Sequence, residues 1–139
     1  MKQYQKLYYS YIFLIKKKEV LIIDNKEKGR IGEELATKYL KSNGYNVLER
    51  NYRTNMGEID IIAIKSNLLI FIEVKTRTST YFGYPYEAVN IKKQDKIIKT
   101  SWMYMKQKKL FDYQVRYDII EVFLTKKYKI NHIENAFCR

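Results

Sequence analysis

Glu58-Ile-Asp-Ile-Ile-Ala-Ile-Lys65, Ser66-Asn67 and Leu68-Leu-Ile-Phe-Ile-Glu-Val-Lys-Thr76 follow one another directly along the chain. The two longer segments are rich in isoleucine and other residues that favour β-strands, and the serine and asparagine between them favour a turn. Together they predict an antiparallel hairpin. Charged residues interrupt both apolar strands, and because an unpaired buried charge is costly, something must offset that cost.

The length of the predicted turn decides which charged side chains meet. Side chains alternate between the two faces of a strand, so Glu73 and Lys75 share a face. With a two-residue or four-residue turn, Asp60 lies directly opposite Glu73, whereas a three-residue turn would put the two carboxylates on different faces. Directly opposite residues have Cβ atoms about 5 Å apart. At that distance the carboxylates repel each other unless a cation or a proton lies between them.

This pattern predicts a metal site that acts on phosphate esters. Two hard carboxylate ligands, Asp60 and Glu73, suit Mg²⁺ or Mn²⁺. In phosphodiester hydrolysis a water loses a proton and attacks phosphorus while negative charge grows on the phosphate, and Lys75 would orient that water or stabilise the charge. The alternative is a cross-strand ion pair on a solvated face, for which the same register offers Glu58 opposite Lys75.

The rest of the chain completes a mixed α/β fold. A helix is predicted from Gly29, because apolar residues recur at helical spacing over residues 31–40. A second helix is predicted from Asn90 to Lys106, with Trp102 and the nearby methionines in the core. Strands are predicted at residues 45–53, 58–65, 68–76, 115–124 and 128–133. The order α-β-β-β-α-β-β indicates a central mixed sheet flanked by helices.

Composition indicates one domain and an anionic partner. The chain has 139 residues, of which 46% are hydrophobic, enough to fill one core. It carries 27 Lys and Arg against 15 Asp and Glu, a net charge of +12. Nucleic acid and an anionic membrane surface are the partners that such an excess favours. Residues 1–28, with their tyrosines and lysine cluster, are interpreted as an N-terminal extension of uncertain structure, and residues 29–139 as the nuclease-like domain.

The sequence favours a cytoplasmic protein. Its single cysteine, Cys138, cannot form an internal disulfide, which is compatible with a reducing compartment. The apolar run at residues 7–15 is followed by three lysines, not by small cleavable residues, so we expect neither a secretory signal nor a membrane anchor. Attachment to a membrane surface through residues 1–28 is a separate hypothesis, which vesicle sedimentation with and without them would test.

A longer set of motifs resembles one protein family. The set comprises Gly29-Arg-Ile-Gly-Glu33-Glu-Leu-Ala36, Gly44-Tyr45, Arg50-Asn51-Tyr-Arg53, Gly57-Glu-Ile-Asp60, Phe71-Ile-Glu-Val-Lys75-Thr-Arg77, Phe82-Gly-Tyr-Pro85, Tyr117-Asp118-Ile and His132-Ile-Glu-Asn-Ala-Phe137. These motifs are similar to those of the YraN-like family of bacterial endonuclease-like proteins, and the similarity spans residues 29–137. It implies a restriction-endonuclease-like core of the kind found in Holliday-junction resolvases, and DNA as the substrate. It is compatible with a homodimer.

The resemblance also implies further site residues. It calls for an acidic residue on the first helix, and on a helical wheel Glu33 lies at the edge of the apolar stripe, while Glu34 faces Lys38 in the polar sector. Glu33 is therefore the expected second-metal or water-mediated ligand. The resemblance places a basic residue at Lys93, and Arg77 continues the face of Lys75, so both are predicted to contact nucleic acid. The same features also fit a nucleic-acid-binding module that does not cleave.

Three sets of side chains have two interpretations each. Lysines 92, 96 and 99 on the second helix would either grip phosphates or form a solvated face. Tyr81, Phe82, Tyr84 and Tyr86 would either stack on unpaired bases or pack as ordinary half-buried residues. His132, the only histidine, does not belong to the candidate site of Asp60, Glu73 and Lys75, and it is not expected to be a metal ligand or a base.

Overall fold

The computed structural model of the chain describes residues 5–7, 9–10, 24–78, 89–125 and 127–138. From residue 24 onward its elements are α1 (Asn25–Ser42), β1 (Asn46–Thr54), β2 (Gly57–Lys65), β3 (Leu68–Arg77), α2 (Ile91–Lys108), β4 (Gln114–Phe123) and β5 (Lys129–Phe137). This order confirms the predicted α-β-β-β-α-β-β succession.

The five strands form one sheet in the order β1-β2-β3-β4-β5. Neighbouring strands are antiparallel except for β3 and β4, which are parallel. Parallel strands cannot be joined by a tight turn, and α2 lies between them in the chain as the crossover connection. The result is the predicted mixed sheet flanked by helices, which is compatible with a restriction-endonuclease-like core.

Each face of the sheet is covered by one helix. On β3, Ile70, Ile72 and Val74 pack in the cluster that contains the apolar stripe of α1. The alternate residues Leu69 and Phe71 pack in the cluster that contains α2. A strand buried on both faces needs apolar residues at nearly every position, and this explains the unbroken apolar run of β3. It also makes the charges at the end of that run exceptional.

The hairpin between β2 and β3 has the predicted even turn. Lys65 pairs with Leu68 across a two-residue turn, and the ladder continues without a shift to Ile61 opposite Ile72. Ser66 in the turn has a left-handed backbone, with φ of 55°. The register on which the carboxylate pair depends is therefore confirmed over five residue pairs.

Helix α1 begins at Asn25, four residues before its predicted start at Gly29. Asp24 is the N-cap residue, and its Oδ1 accepts a hydrogen bond from the backbone N–H of Glu27 at 2.8 Å. The polar stretch that looked like the end of an extension is thus a capped first turn, in which Asp24 satisfies a free backbone donor. Leu7, from farther upstream, is partly buried against the core beneath α1.

Several predicted features fall outside the described residues. They include most of the proposed extension at residues 1–28 and the loop that carries Tyr81, Phe82, Tyr84 and Tyr86. Among the described residues, no helix has both the length and the apolar composition needed to cross a membrane.

The expected burial of Trp102 is wrong. Its side chain is 54% exposed on the outward side of α2, and Met103 beside it is 39% exposed. The buried side of α2 is instead formed by Ile97, Tyr104 and Met105, with other residues of the same stripe. The helical spacing of apolar residues in α2 permits more than one inward face, so the pattern alone chose the wrong side for the tryptophan.

Candidate metal centre

The candidate site lies where β2 separates from β3. The ladder between the two strands ends at Ile61 and Ile72. Two residues beyond Ile72, the backbone N–H of Val74 donates a hydrogen bond to Oδ2 of Asp60, at 2.8 Å. The Asp60 side chain therefore takes the place of a backbone acceptor at the point where pairing stops. This fixes the carboxylate between the two strands, beside Glu73.

At the same level of the sheet, the regular alternation of side chains between the two faces of the strand is broken. Ile61 packs in the core beneath α1, but Ile59, two residues away, packs in the core beneath α2. In β1 the same change occurs across Asn51, which has a left-handed backbone with φ of 52°. Asp60 lies at the switch in β2, so its side chain belongs to neither apolar core. The sheet thus provides a polar position within an otherwise apolar strand.

Asp60 holds its proton more strongly than an ordinary carboxyl group. It is 8% exposed, and burial together with the nearby charge of Glu73 raises its pKa to about 7. The hydrogen bond from Val74 and the charge of Lys93 lower the pKa of Asp60, but by less than burial and Glu73 raise it. Near neutral pH the Asp60 carboxyl group therefore gains and loses its proton readily, as expected for a buried carboxyl group beside another carboxylate.

Glu73 faces two lysines on one side and has an unsatisfied oxygen on the other. Its Oε1 lies 3.5 Å from Nζ of Lys75 and 3.5 Å from Nζ of Lys93. Its Oε2 is buried and has no hydrogen-bond partner in the described part of the chain. A buried oxygen without a donor is costly, and the proton on Asp60 or a cation would satisfy it.

Glu33 reaches the site from α1. Burial and the charge of Asp60 raise the pKa of Glu33, while a hydrogen bond from Asn51 and the charge of Arg50 oppose that rise. Glu33 also lines an open cleft of about 250 Å³ beside Val74 and Thr76 of β3. The choice between the two neighbouring glutamates agrees with the geometry, because Glu34 points away and forms ion pairs with Lys38 and Arg50.

Asp60 and Glu73 suit a hard divalent cation better than a structural metal such as zinc. No three Asp, Glu, His or Cys side chains converge closely enough to form a ready cage among the residues that the structure describes. Mg²⁺ is usually held by one or two carboxylates, with water and substrate oxygens completing its shell, so a two-carboxylate site fits its chemistry. The unsatisfied Oε2 of Glu73 supplies the oxygen that such an ion would need.

Two other predicted side chains are engaged elsewhere. Nε of Arg77 donates to Oε2 of the buried Glu121 at 2.8 Å, so in the protein alone this arginine is held on β4. Its contact with nucleic acid stays a prediction. The alternative pairing of Glu58 with Lys75 is wrong, because Glu58 lies 3.2 Å from Arg53 while Lys75 faces Glu73. Arg53 and Glu58 are directly opposite in β1 and β2.

Two residues of the site could not be assigned from local sequence patterns: Asn51 had no predicted role, and Lys93 had only the role implied by the family resemblance. Asn51 orients Glu33, and its left-handed backbone is a conformation that asparagine tolerates better than most residues. Lys93 is brought to Glu73 by the first turn of α2, which Asn90 caps through its Oδ1 at 2.9 Å. An asparagine before a helix predicts that cap, but not which strand the first turn meets.

Known proteins share the sequence motifs on which the family resemblance was based. A family model described as uncharacterised protein family UPF0102 matches residues 32–122. The chain is 54% identical over 116 residues to a UPF0102 protein of Alkaliphilus oremlandii, covering 81% of this chain and 99% of that one. It is 46% identical over 119 residues to one from Caldanaerobacter subterraneus, covering 83% and 98%. It is 50% identical over 115 residues to one from Clostridioides difficile, covering 83% and 100%. The chain therefore belongs to the UPF0102 family, which confirms the YraN-like resemblance.

Proposed function

We propose that this protein is an endonuclease that hydrolyses phosphodiester bonds in nucleic acid, with branched or single-stranded DNA as its substrate, in the presence of Mg²⁺ or Mn²⁺. The observation that carries the proposal is the buried pair Asp60 and Glu73 at the fork between β2 and β3. One oxygen of Glu73 has no donor among the described residues apart from the proton that Asp60 can hold, and two lysines face the other. Structural ion pairs normally leave no such oxygen unsatisfied.

In this proposal Asp60 and Glu73 hold the divalent ion, and Glu33 contributes through water or a second ion. A divalent ion at this position supplies Lewis-acid stabilisation of the phosphate and favours deprotonation of the attacking water. Lys75 orients that water or stabilises the charge that grows on the phosphate. Lys93 is close enough to the same carboxylate to hold a neighbouring phosphate. Water attacks phosphorus in line with the departing 3′ oxygen, so one P–O bond forms while the other breaks.

The direct test is cleavage of labelled branched and single-stranded DNA by the purified full chain with Mn²⁺. We expect cleavage by the wild type and loss of at least about a hundredfold in rate for Asp60→Ala and Lys75→Ala, the size of effect typical for removing one charge-stabilising group. Lys129→Ala is the matched control, because it removes an exposed lysine from β5 without touching the carboxylates. Undiminished cleavage by both site variants would overturn the proposal.

A second function is supported by the contacts of Glu73 with the protein's own lysines. Lys75 and Lys93 partly neutralise this carboxylate without any metal. A protein of this kind would bind nucleic acid and leave it intact. Calorimetric titration with Mn²⁺ separates the two functions: heat that disappears in Asp60→Ala supports the endonuclease. Metal-independent DNA binding with no such heat supports the binding module.

A further inference from the structure

The outward face of α2 carries an exposed tryptophan among lysines. Trp102, the only tryptophan in the chain, is 54% exposed. Large aromatic side chains are usually buried to a greater extent, and tryptophan is enriched at interfaces because its ring is apolar while its N–H can meet water or a partner. The endonuclease site does not use this side chain, because it projects from the opposite side of α2 to Lys93.

Exposed lysines connect the site with Trp102 around the helix. A helix turns about 100° per residue, so Trp102 lies on the side of α2 opposite Lys93. Between them, residues can be ordered by their angle around the helix axis, starting from Lys93. Four exposed lysines lie on this path around the helix, namely Lys96, Lys92, Lys99 and Lys106, and the exposed Met103 and Asp95 share it. The four lysines span an arc of about 80°, and Trp102 lies about 40° beyond Lys106. We call Trp102 and these four lysines the lysine stripe.

The charge of the lysine stripe selects the class of partner. Asp95, the only acidic residue in α2, is already paired with Lys99 at 2.6 Å. A second copy of the chain packed symmetrically on this face would set lysines against lysines, and like charges held together are unfavourable. A polyanion is the complementary partner. Because an exposed indole stacks on bases that are not already paired, the combination of lysines and tryptophan favours a single strand.

We propose that the lysine stripe binds a single-stranded segment of nucleic acid, with the lysines contacting phosphates and Trp102 stacking on an unpaired base. This inference rests on the proposed function, since it specifies the substrate that approaches the same site. Lys93 and Trp102 are nine residues apart, about 13.5 Å along the helix axis, a distance that a few nucleotides cover. The strand leaves the carboxylates at the first turn of α2 and follows the outside of the helix.

The fluorescence of the single tryptophan tests the proposal directly. The full chain is titrated with oligothymidylate in metal-free buffer, so that no cleavage takes place. We expect quenching of Trp102 fluorescence in proportion to binding, and weaker binding as salt rises. Binding measured by anisotropy of a labelled oligonucleotide should weaken roughly 5- to 100-fold in Trp102→Ala and recover in Trp102→Phe, which keeps an aromatic ring. Phe111→Ala, an equally exposed aromatic outside α2, should bind normally.

The lysines are tested by a matched pair of double variants. Lys92→Ala with Lys106→Ala should lower the slope of log affinity against log salt by about 1.4, because each phosphate contact on a single strand contributes about 0.7. Lys41→Ala with Lys129→Ala removes the same charge from other elements and should leave the slope unchanged. Equal effects of the two double variants would show that only net charge matters, and this would overturn the proposal.

The remaining outcomes separate this inference from the endonuclease proposal. Unchanged fluorescence on binding, or equal quenching by polyglutamate, overturns the inference even if the protein cleaves DNA. Quenching that persists in Asp60→Ala supports it even if no cleavage is ever observed, because the carboxylates are not part of the lysine stripe.

Discussion

The environment of Asp60 opposes the ionised state that metal binding requires. Its carboxyl group is buried next to Glu73, and its pKa is raised to about 7. Solvent and a more open site would stabilise the charged form, but the fold instead encloses both carboxylates where β2 separates from β3. Ionisation of Asp60 therefore destabilises the folded protein unless a cation is bound. Functional sites often carry such a cost in stability.

Asp60→Asn should stabilise the protein in the absence of divalent ions. Between the ordinary pKa of an aspartate and about 7, the folded wild type binds more protons than the unfolded chain, so its stability falls as pH rises through that range. Asparagine carries no charge and keeps an oxygen to accept the N–H of Val74. We expect a gain on the order of 1–3 kcal/mol near pH 8, which shrinks towards pH 4.

Thermal unfolding in chelator over a series of pH values measures this effect. Asp112→Asn, which changes an exposed carboxylate outside the helices and strands, is the control and should show no pH-dependent gain. If Asp60→Asn is less stable than the wild type by the same amount at every pH, the side chain is held mainly by geometry and the electrostatic account fails.

The positions of these residues could be predicted from the sequence wherever they depend on residues nearby in the chain. Alternation and the turn length bring Asp60, Glu73 and Lys75 together, and the helical wheel separates Glu33 from Glu34. The engagement of Arg77 by Glu121 was not predictable in this way. It depends on the parallel pairing of β3 with β4, which are separated in the sequence by the whole of α2. Long-range pairing of this kind leaves no local pattern.

At the scale of elements, Gly32 allows α1 to approach β3 closely. A Cβ atom at this position would overlap the hydroxyl group of Thr76 on β3. The absence of a side chain therefore sets the distance between the helix and the sheet. Glu33 is the next residue along α1, so the same close contact helps to bring its carboxyl group near Asp60.

Gly32→Ala should destabilise the protein by about 1–3 kcal/mol, the usual cost of overpacking a tight contact. Gly29→Ala is the matched control on the same helix, since a Cβ atom there meets no atom within 4 Å. Alanine favours a helix over glycine by about 0.5–1 kcal/mol, so this variant should be slightly more stable than the wild type. Urea denaturation of the two variants and the wild type measures both the expected loss and the expected gain in the free energy of unfolding.

An equal change in stability for the two glycine variants would mean that α1 shifts freely and that Gly32 does not set its position. In that case the placement of Glu33 would need another explanation, such as its hydrogen bond with Asn51.

The types of the elements were predictable because the sequence shows clearly both the helical spacing of apolar residues and the runs of strand-favouring residues bounded by turns. The hairpin and the two helices follow local patterns of apolar residues and turn residues. The start of α1 was missed because Asp24 and Glu27 lie in a polar stretch, where an N-cap resembles a linker. The exchange of faces at Asp60 was also missed. It requires the left-handed residue Asn51 in the neighbouring strand, and an alternation rule applied to one strand does not contain it.

At the scale of the whole molecule, a buried network joins β4 to β5, far from the carboxylates in the chain. Asp118 is fully buried and accepts hydrogen bonds from Arg116, from Nε2 of His132 and from the backbone N–H of Asn135. Nδ1 of His132 lies 3.3 Å from the hydroxyl group of Tyr39 on α1. The single histidine thus connects the last strand to the first helix, a structural role that its isolated place in the sequence did not indicate.

Asp118→Asn should destabilise the protein strongly, by about 3–5 kcal/mol, because it leaves the charge of the mostly buried Arg116 without its main partner. Glu27→Gln is the matched control. It also breaks a two-bond pair with an arginine, but both side chains are exposed and the change should be small. Chemical denaturation near neutral pH compares the two variants directly.

The pH dependence of this loss distinguishes a charged network from simple packing. Burial acts to raise the pKa of Asp118, but the hydrogen bonds from His132, Arg116 and Asn135 outweigh it and leave the pKa lowered. Its contribution to stability is therefore complete above the ordinary pKa of an aspartate and is lost as pH falls through the lowered value. The difference in stability between wild type and Asp118→Asn should narrow in acid, as it does for Asp60→Asn, but with the opposite sign, because here the variant is the less stable protein. A constant difference would assign the loss to packing, because the shape of the side chain does not change with pH.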